Sequence, residues 1–196
     1  MSVATDWIRD GDDIAEVLRR AIAGDRNAWD SLVERYSPMV WAIARGMGRT
    51  PSEARDVSQA TWLRLVEHAS SIQQPERVGA WLATTARREC LRQCQKSWRQ
   101  TLISDEDEFD VIDLRSEAPD TGVIEDERDV LLWKAFAQLP QRERTLLTLL
   151  TAEPRLSYQE ISSVMEMPIG SIGPTRGRCL TKLRELLLVD PTWEAP

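Results

Sequence analysis

Apolar residues in this chain recur every third or fourth position and seldom alternate. Trp29, Leu32, Val33, Tyr36, Val40, Ile43 and Met47 form one such face, the stripe of a helix laid on a core. Pro38 falls inside the run and predicts a bend or a break there. Thr50-Pro51-Ser52 predicts a new helix start, continuing through Asp56, Gln59, Trp62 and Leu65. Residues 70–77 are polar, contain Gln73, Gln74 and Pro75, and predict a loop; a third long helix is expected over 78–98. The periodicity then lapses. It returns at Leu131, Leu132, Ala135, Phe136 and Leu139, a helix stopped by Pro140, and again at Arg144, Leu146, Leu147 and Leu150.

The end of the chain carries the sharpest local signals. In Leu156-Ser157-Tyr158-Gln159-Glu160-Ile161, Ser157 and Glu160 have the spacing of a capping box, and Leu156 and Ile161 that of a hydrophobic staple. Pro168 and Gly170 are expected to end this helix. Pro174 fits the first turn of a second one, which starts near Ser171, because proline lacks the N–H needed deeper in a helix. A short helix, a tight turn and a basic second helix make a helix-turn-helix, the device that puts side chains into a DNA major groove.

These elements define an all-α chain of two small helical domains joined by an acidic flexible linker. Residues 21–100 form the first domain, with periodicity already visible from Ile14, and 1–20 an N-terminal extension. The linker is 101–129, the helix-turn-helix domain 130–188, and 189–196 a disordered tail. Between 104 and 129 stand twelve acids and two arginines, a composition that cannot build a core.

Charge changes the picture. The net charge of −7 excludes a nonspecific nucleic-acid coat, yet the bases are segregated. Residues 86–100 hold Arg87, Arg88, Arg92, Lys96 and Arg99 against Glu89, a local +4; residues 170–184 hold Arg176, Arg178, Lys182 and Arg184 with no acid, again +4. One basic helix alone is most simply a solvated face. Two of them, one within a helix-turn-helix, favour a two-point DNA contact.

Other chemistry finds little support. The chain has three cysteines and one histidine; Cys90 and Cys94 are one turn apart, but zinc takes about four ligands. They and Cys179 are expected to be reduced thiols, and no cofactor or metal is implied. With neither a phosphate-binding glycine loop nor a nucleophile motif, an enzyme is not expected. No run of 18 apolar residues exists, so no membrane insertion is expected. Residues 1–13 lack the basic-then-apolar order of a signal peptide, which makes the expected location cytoplasmic.

The ordered set resembles the small extracytoplasmic-function (ECF) type of bacterial RNA polymerase sigma factor, in the sigma-70 family, over about 21–187. Ala23-Gly24-Asp25, Ala28-Trp29, Leu32-Val33 and Tyr36 resemble that family's opening helix. Glu53 to Leu65, with Asp56, Gln59, Trp62 and Leu63, resembles the helix that grips the polymerase clamp; Ala60 stands where the family usually has an acid. Ala80-Trp81-Leu82-Ala83-Thr84-Thr85-Ala86-Arg87-Arg88 resembles the helix that melts the −10 element. Leu139-Pro140, Arg144, Leu146-Leu147 and the helix-turn-helix resemble the domain that reads the −35 element. There Gly173-Pro174-Thr175 replaces a more usual basic residue, serine and arginine, which implies a base preference of its own.

The resemblance implies a factor that binds core polymerase through its clamp helices and β-flap region, recognises both promoter elements and promotes strand opening. Ser171, Pro174, Arg176, Arg178 and Lys182 would meet duplex DNA. Gln73, Gln74, Glu76 and Arg77 would capture a flipped base, and Arg87, Arg88, Arg92 and Lys96 would hold the single strand. Trp81 is expected in the core, and Trp98 among the bases could stack. The linker acids would thread a basic channel, and an anti-sigma factor is a candidate inhibitory partner. The alternative is a helix-turn-helix regulator acting on duplex DNA without polymerase; a nuclease, which needs clustered carboxylates on a folded core, ranks third.

Overall fold

The computed structural model describes residues 13–101, 127–189 and Trp193. The assigned linker between 102 and 126, residues 1–12, and most of the tail lie outside them. Among the described residues every regular element is helical: α1 (Ile14–Ile22), α2 (Arg26–Gly46), α3 (Pro51–His68), α4 (Val78–Thr101), α5 (Glu127–Ala137), α6 (Gln141–Thr151), α7 (Tyr158–Met165) and α8 (Ile169–Val189). Two short 3-10 turns, Ala69–Ser71 and Pro75–Arg77, occupy the predicted loop before α4.

Local chemistry sets most of the boundaries. Asp13, Asp25, Thr50 and Ser157 each accept N–H groups of the first turn from their side chains. At Thr50 and Ser157 the capping box is complete, Glu53 and Glu160 returning a carboxylate to the cap's own N–H. Each such cap stabilises its helix by about 1 kcal/mol.

Three expectations are corrected. First, α1 buries Val17, Leu18 and Ala21, so the extension assigned to 1–20 already holds a core helix. Second, α2 runs unbroken through Pro38, although that residue can neither donate to the fourth preceding carbonyl nor avoid crowding it. Packing on both sides supplies the difference: Tyr36, Met39, Val40 and Ile43 are buried. Val33, expected on this apolar face, is 40 % exposed.

Third, the helix-turn-helix is built differently from its sequence reading. The turn is made by Glu166, a non-glycine residue at φ 51° that caps α7. Gly170 and Pro174 both lie inside α8, the proline beyond the first turn. Gly173 explains the tolerance, since a proline ring clashes with the preceding residue's Cβ and Gly173 has none.

One core runs through both groups of helices. Leu32, Ile43, Leu65, Leu82 and Cys90 of α1–α4 belong to the same buried cluster as Leu146, Leu149, Ile161, Val164 and Ile172. A second, smaller cluster of Leu139, Leu147 and Cys179, covered by Phe136, Leu183 and Leu186, belongs to α5–α8 alone. The junction is α2 against α6 and α4 against α7. Arg144 pins it: its guanidinium donates to the Gly46 carbonyl at 3.1 Å and to the Ala137 and Leu139 carbonyls at 2.5 and 3.2 Å. Gln141 adds a bond to the Met47 carbonyl at 3.0 Å. Burial lowers the Arg144 pKa from its ordinary value.

Candidate nucleic-acid interface

The turns at 69–77 and the first half of α4 form a groove of about 390 Å³, a size that admits a small planar group. Gln73, Gln74, Arg77, Ala80, Trp81 and Arg88 line its first wall, together with Thr84 and Thr85. Its second wall is Glu160 and Ser163 of α7. Thr84 and Thr85 donate their hydroxyls to the Ala80 and Trp81 carbonyls at 2.8 Å each, leaving oxygen lone pairs for a ligand. Trp81, expected in the core, is half-buried: it packs on the core and also lines this groove.

Gln73, Gln74, Arg77 and Arg88 are thus gathered as the sequence reading expected. The rest of that set is not. Glu76 is exposed but does not line the groove. Arg87 is 21 % exposed and pairs with Glu166, 79 positions on, at 3.2 Å. Arg92 turns to the buried carboxylate of Glu89 at 3.3 Å, which Arg64 of α3 also approaches at 3.5 Å. The Lys96 and Trp98 side chains lie outside the described residues.

On α8, Ser171, Pro174, Arg178 and Lys182 fall on one side by helical spacing, and Arg176 falls off it. Pro174, Arg176, Arg178 and Lys182 are exposed. Arg178 donates to Thr175 Oγ1 at 3.2 Å, and Ser171 donates its hydroxyl to the Pro168 carbonyl at 2.6 Å. Lys182 leans toward Glu143 of α6 at 3.8 Å. Gly170, Gly173 and Gly177 meet nothing within 4 Å, so α8 offers a slim exposed side flanked by guanidinium groups.

A third surface lies on α3. Asp56, Gln59 and Leu63 follow one another at helical spacing and are exposed, Leu63 at 58 %. Val66, at 60 %, extends the stripe and was not singled out in the sequence. Its signal was available: it lies three residues after Leu63, but a lone valine on a helix is usually core. Trp62 instead packs on the core. Glu160, Ser163 and Glu166, the other contributors missed, had no signal, since only tertiary packing brings α7 to α4.

The cysteines are small packing groups. Cys90 is buried, and loss of hydration pushes its thiol up to about 12. Cys179 is buried and shifted the same way.

A helical protein with a polar groove beside a basic helix, and a separate helix-turn-helix, belongs to the class that meets DNA at two places. Comparison with known proteins narrows the class. Residues 32–100 match the family model described as sigma-70 region 2. The RNA polymerase sigma-H factor of Pseudomonas aeruginosa is 26 % identical over 164 residues, covering 80 % of this chain and 84 % of that protein. The ECF RNA polymerase sigma factor EcfG of Rhodopseudomonas palustris is 29 % identical over 153 residues, covering 78 % and 81 %. Two solved structures share the fold. The sigma factor RpoE, solved with the anti-sigma factor NepR from Bartonella quintana, gives a TM-score of 0.62 at 23 % identity, over 83 % of this chain and 98 % of that one. CnrH, solved with the cytosolic domain of CnrY, gives 0.62 at 19 %, over 91 % and 99 %. The chain belongs to the sigma-70 family of RNA polymerase sigma factors, in its ECF type. Its relatives' names favour that reading over a regulator that works without polymerase. Sigma factors are as a rule initiation factors, not enzymes, and no described helix is long and apolar enough to cross a membrane.

Proposed function

We propose that this sigma factor divides its task among the three surfaces. The α3 stripe of Asp56, Gln59 and Leu63, with Val66, holds core polymerase, helped by the second domain at the β-flap region. The groove takes a base flipped from the −10 element: Gln73 and Gln74 supply amide donors and acceptors for its Watson–Crick edge, and Trp81 a stacking face. Arg77 and Arg88 hold the phosphates around it. Ser171, Arg176 and Arg178 meet the −35 duplex, where a bidentate arginine contributes about 1–3 kcal/mol of discrimination. The chain itself breaks no bond, acts in the cytoplasm, and is open to control by an anti-sigma partner. The acids at 105–110 lie outside the described residues and would mimic nucleic-acid charge in the polymerase channel.

The observation that carries this reading is the groove, which joins base-edge chemistry, an aromatic face and arginines in one place. Run-off transcription with core polymerase on a library of promoter fragments tests it. New specific transcripts are expected, and Asp56→Ala with Gln59→Ala should abolish them while duplex binding persists. Duplex binding with no transcript from the wild-type chain would sink the proposal.

A further inference from the structure

The groove proposed for the single strand has walls from both domains, and the second wall is the chain's own α7. Glu160 and Ser163 stand across it from Arg77 and Arg88. Just beyond, the Glu166 carboxylate takes the Arg87 guanidinium at 3.2 Å, as a phosphate oxygen would. Each contact sets an acid or hydroxyl of α7 where the strand's backbone would lie.

The docking that places α7 there is close and specific. A Cβ added at Gly46 would come within 2.6 Å of Thr148 Oγ1, so α2 and α6 approach as closely as they do only because residue 46 is glycine. Gly79 plays the same part on α4: a Cβ there would meet the Tyr36 ring at 2.9 Å and Leu156 at 3.6 Å. The bonds across the junction from Arg144 and Gln141 end on backbone carbonyls of Gly46 and Met47, at the last turn of α2.

We infer that α7 is a built-in cover of the single-strand groove, so that the chain alone is self-occluded and binds the opened strand only when the second domain undocks. The inference rests on the groove's proposed role. Its arithmetic is that of a population shift: apparent strand affinity falls by the fraction of molecules that are undocked. Any partner that binds only the undocked state raises that affinity in proportion to its preference.

Gly46→Ala separates occlusion from the strand site itself. Residue 46 lines no part of the groove, and alanine is the better helix former, so helicity by circular dichroism should hold while α6 is pushed off. Thr148→Ala in the same chain should restore docking, because the new Cβ then meets only the residue 148 Cβ, at 3.5 Å. The full chain is measured by small-angle scattering for compactness. Its affinity for fluorescein-labelled random-sequence single-stranded DNA is measured by anisotropy.

Gly46→Ala should expand the chain and raise strand affinity by about three- to tenfold, and the double variant should reverse both. Should Thr148 absorb the methyl by rotating, Gly46→Leu gives the same test with a bulk no rotation can absorb. Unchanged compactness in both variants overturns the inference, as does expansion without a gain in affinity. If the gain appears but neither wild-type nor opened chain directs transcription with core polymerase, the proposed function falls and the self-cover stands.

Discussion

The two basic helices carry the same local charge in the sequence and use it in opposite ways. On α4, Arg87 is tied to Glu166 and Arg92 to Glu89, leaving Arg88 with Arg77 at the groove. On α8, Arg176 and Arg178 face solvent and only Lys182 leans toward an acid, at 3.8 Å. A duplex reader must present charge in advance, because its ligand exists before it binds. A strand that appears only after melting can be met by a site that keeps its charge matched within the chain until then. Counting charges cannot make this distinction, because the partners of α4 lie on α7.

The largest expected effect comes from removing what holds the two regions in this relation. Arg144→Ala leaves three carbonyls without their charged donor, two in its own domain and one across the junction. Unfolding by urea should lose roughly 3 kcal/mol. Arg144→Lys should recover only part, since an ammonium cannot reproduce the planar fork. A loss below about 1 kcal/mol would show that apolar packing alone holds the junction.

A crossed pair of substitutions addresses the comparison itself. Arg178→Ala should weaken binding to a duplex −35 fragment about tenfold and leave single-strand affinity unchanged. Arg88→Ala should do the reverse. Equal losses on both ligands from either variant would mean that the helices do not divide the DNA between them.

Local chemistry was legible and packing was not. The Ser157 capping box needs only four residues, and the structure shows both of its bonds. Thr50-Pro51 marked the start of α3, although its partner Glu53 was not singled out as a cap. The turn of the helix-turn-helix escaped because it rests on Glu166 at positive φ, where no glycine or asparagine announces it. Pro168 and Gly170 drew attention instead, and the start of α8 was placed two residues late. Gln73, Gln74, Arg77 and Arg88 were found because short stretches of sequence hold them together. The opposite wall was invisible, since Glu160 reaches the groove only through the contact of α4 with α7.

Each basic helix also buries one cysteine, Cys90 in the shared core and Cys179 in the smaller cluster. The Cys90 thiol is pushed from 9.0 up to about 12, first by loss of hydration. Between those values the unfolded chain gives up its proton and the folded chain keeps it, so stability is retained at lower pH and falls as pH rises. The slope should approach, at most, about 1.4 kcal/mol per pH unit. Cys90→Ala should flatten that alkaline limb in urea titrations more than Cys179→Ala does. Equal flattening would show that the two cores exclude water alike.

The smallest effect on stability should come from Glu166→Asn, and it separates charge from docking most finely. Glu166 is 69 % exposed, so its pair with Arg87 contributes little to folding. Asparagine adopts the left-handed conformation more readily than glutamate, which suits the cap at φ 51°. The two terms oppose each other, and unfolding free energy should move by less than about 0.5 kcal/mol. Compactness should stay as in the wild type, because Arg144, Gln141 and the Gly46–Thr148 approach are untouched. Arg87, however, loses its carboxylate and regains a charge for phosphate. Single-strand affinity should rise about twofold and its salt dependence should steepen by close to one counterion. A steeper salt slope without expansion assigns Arg87 to the strand. An unchanged slope removes Arg87 from the strand site and leaves Arg77 and Arg88 as its cations.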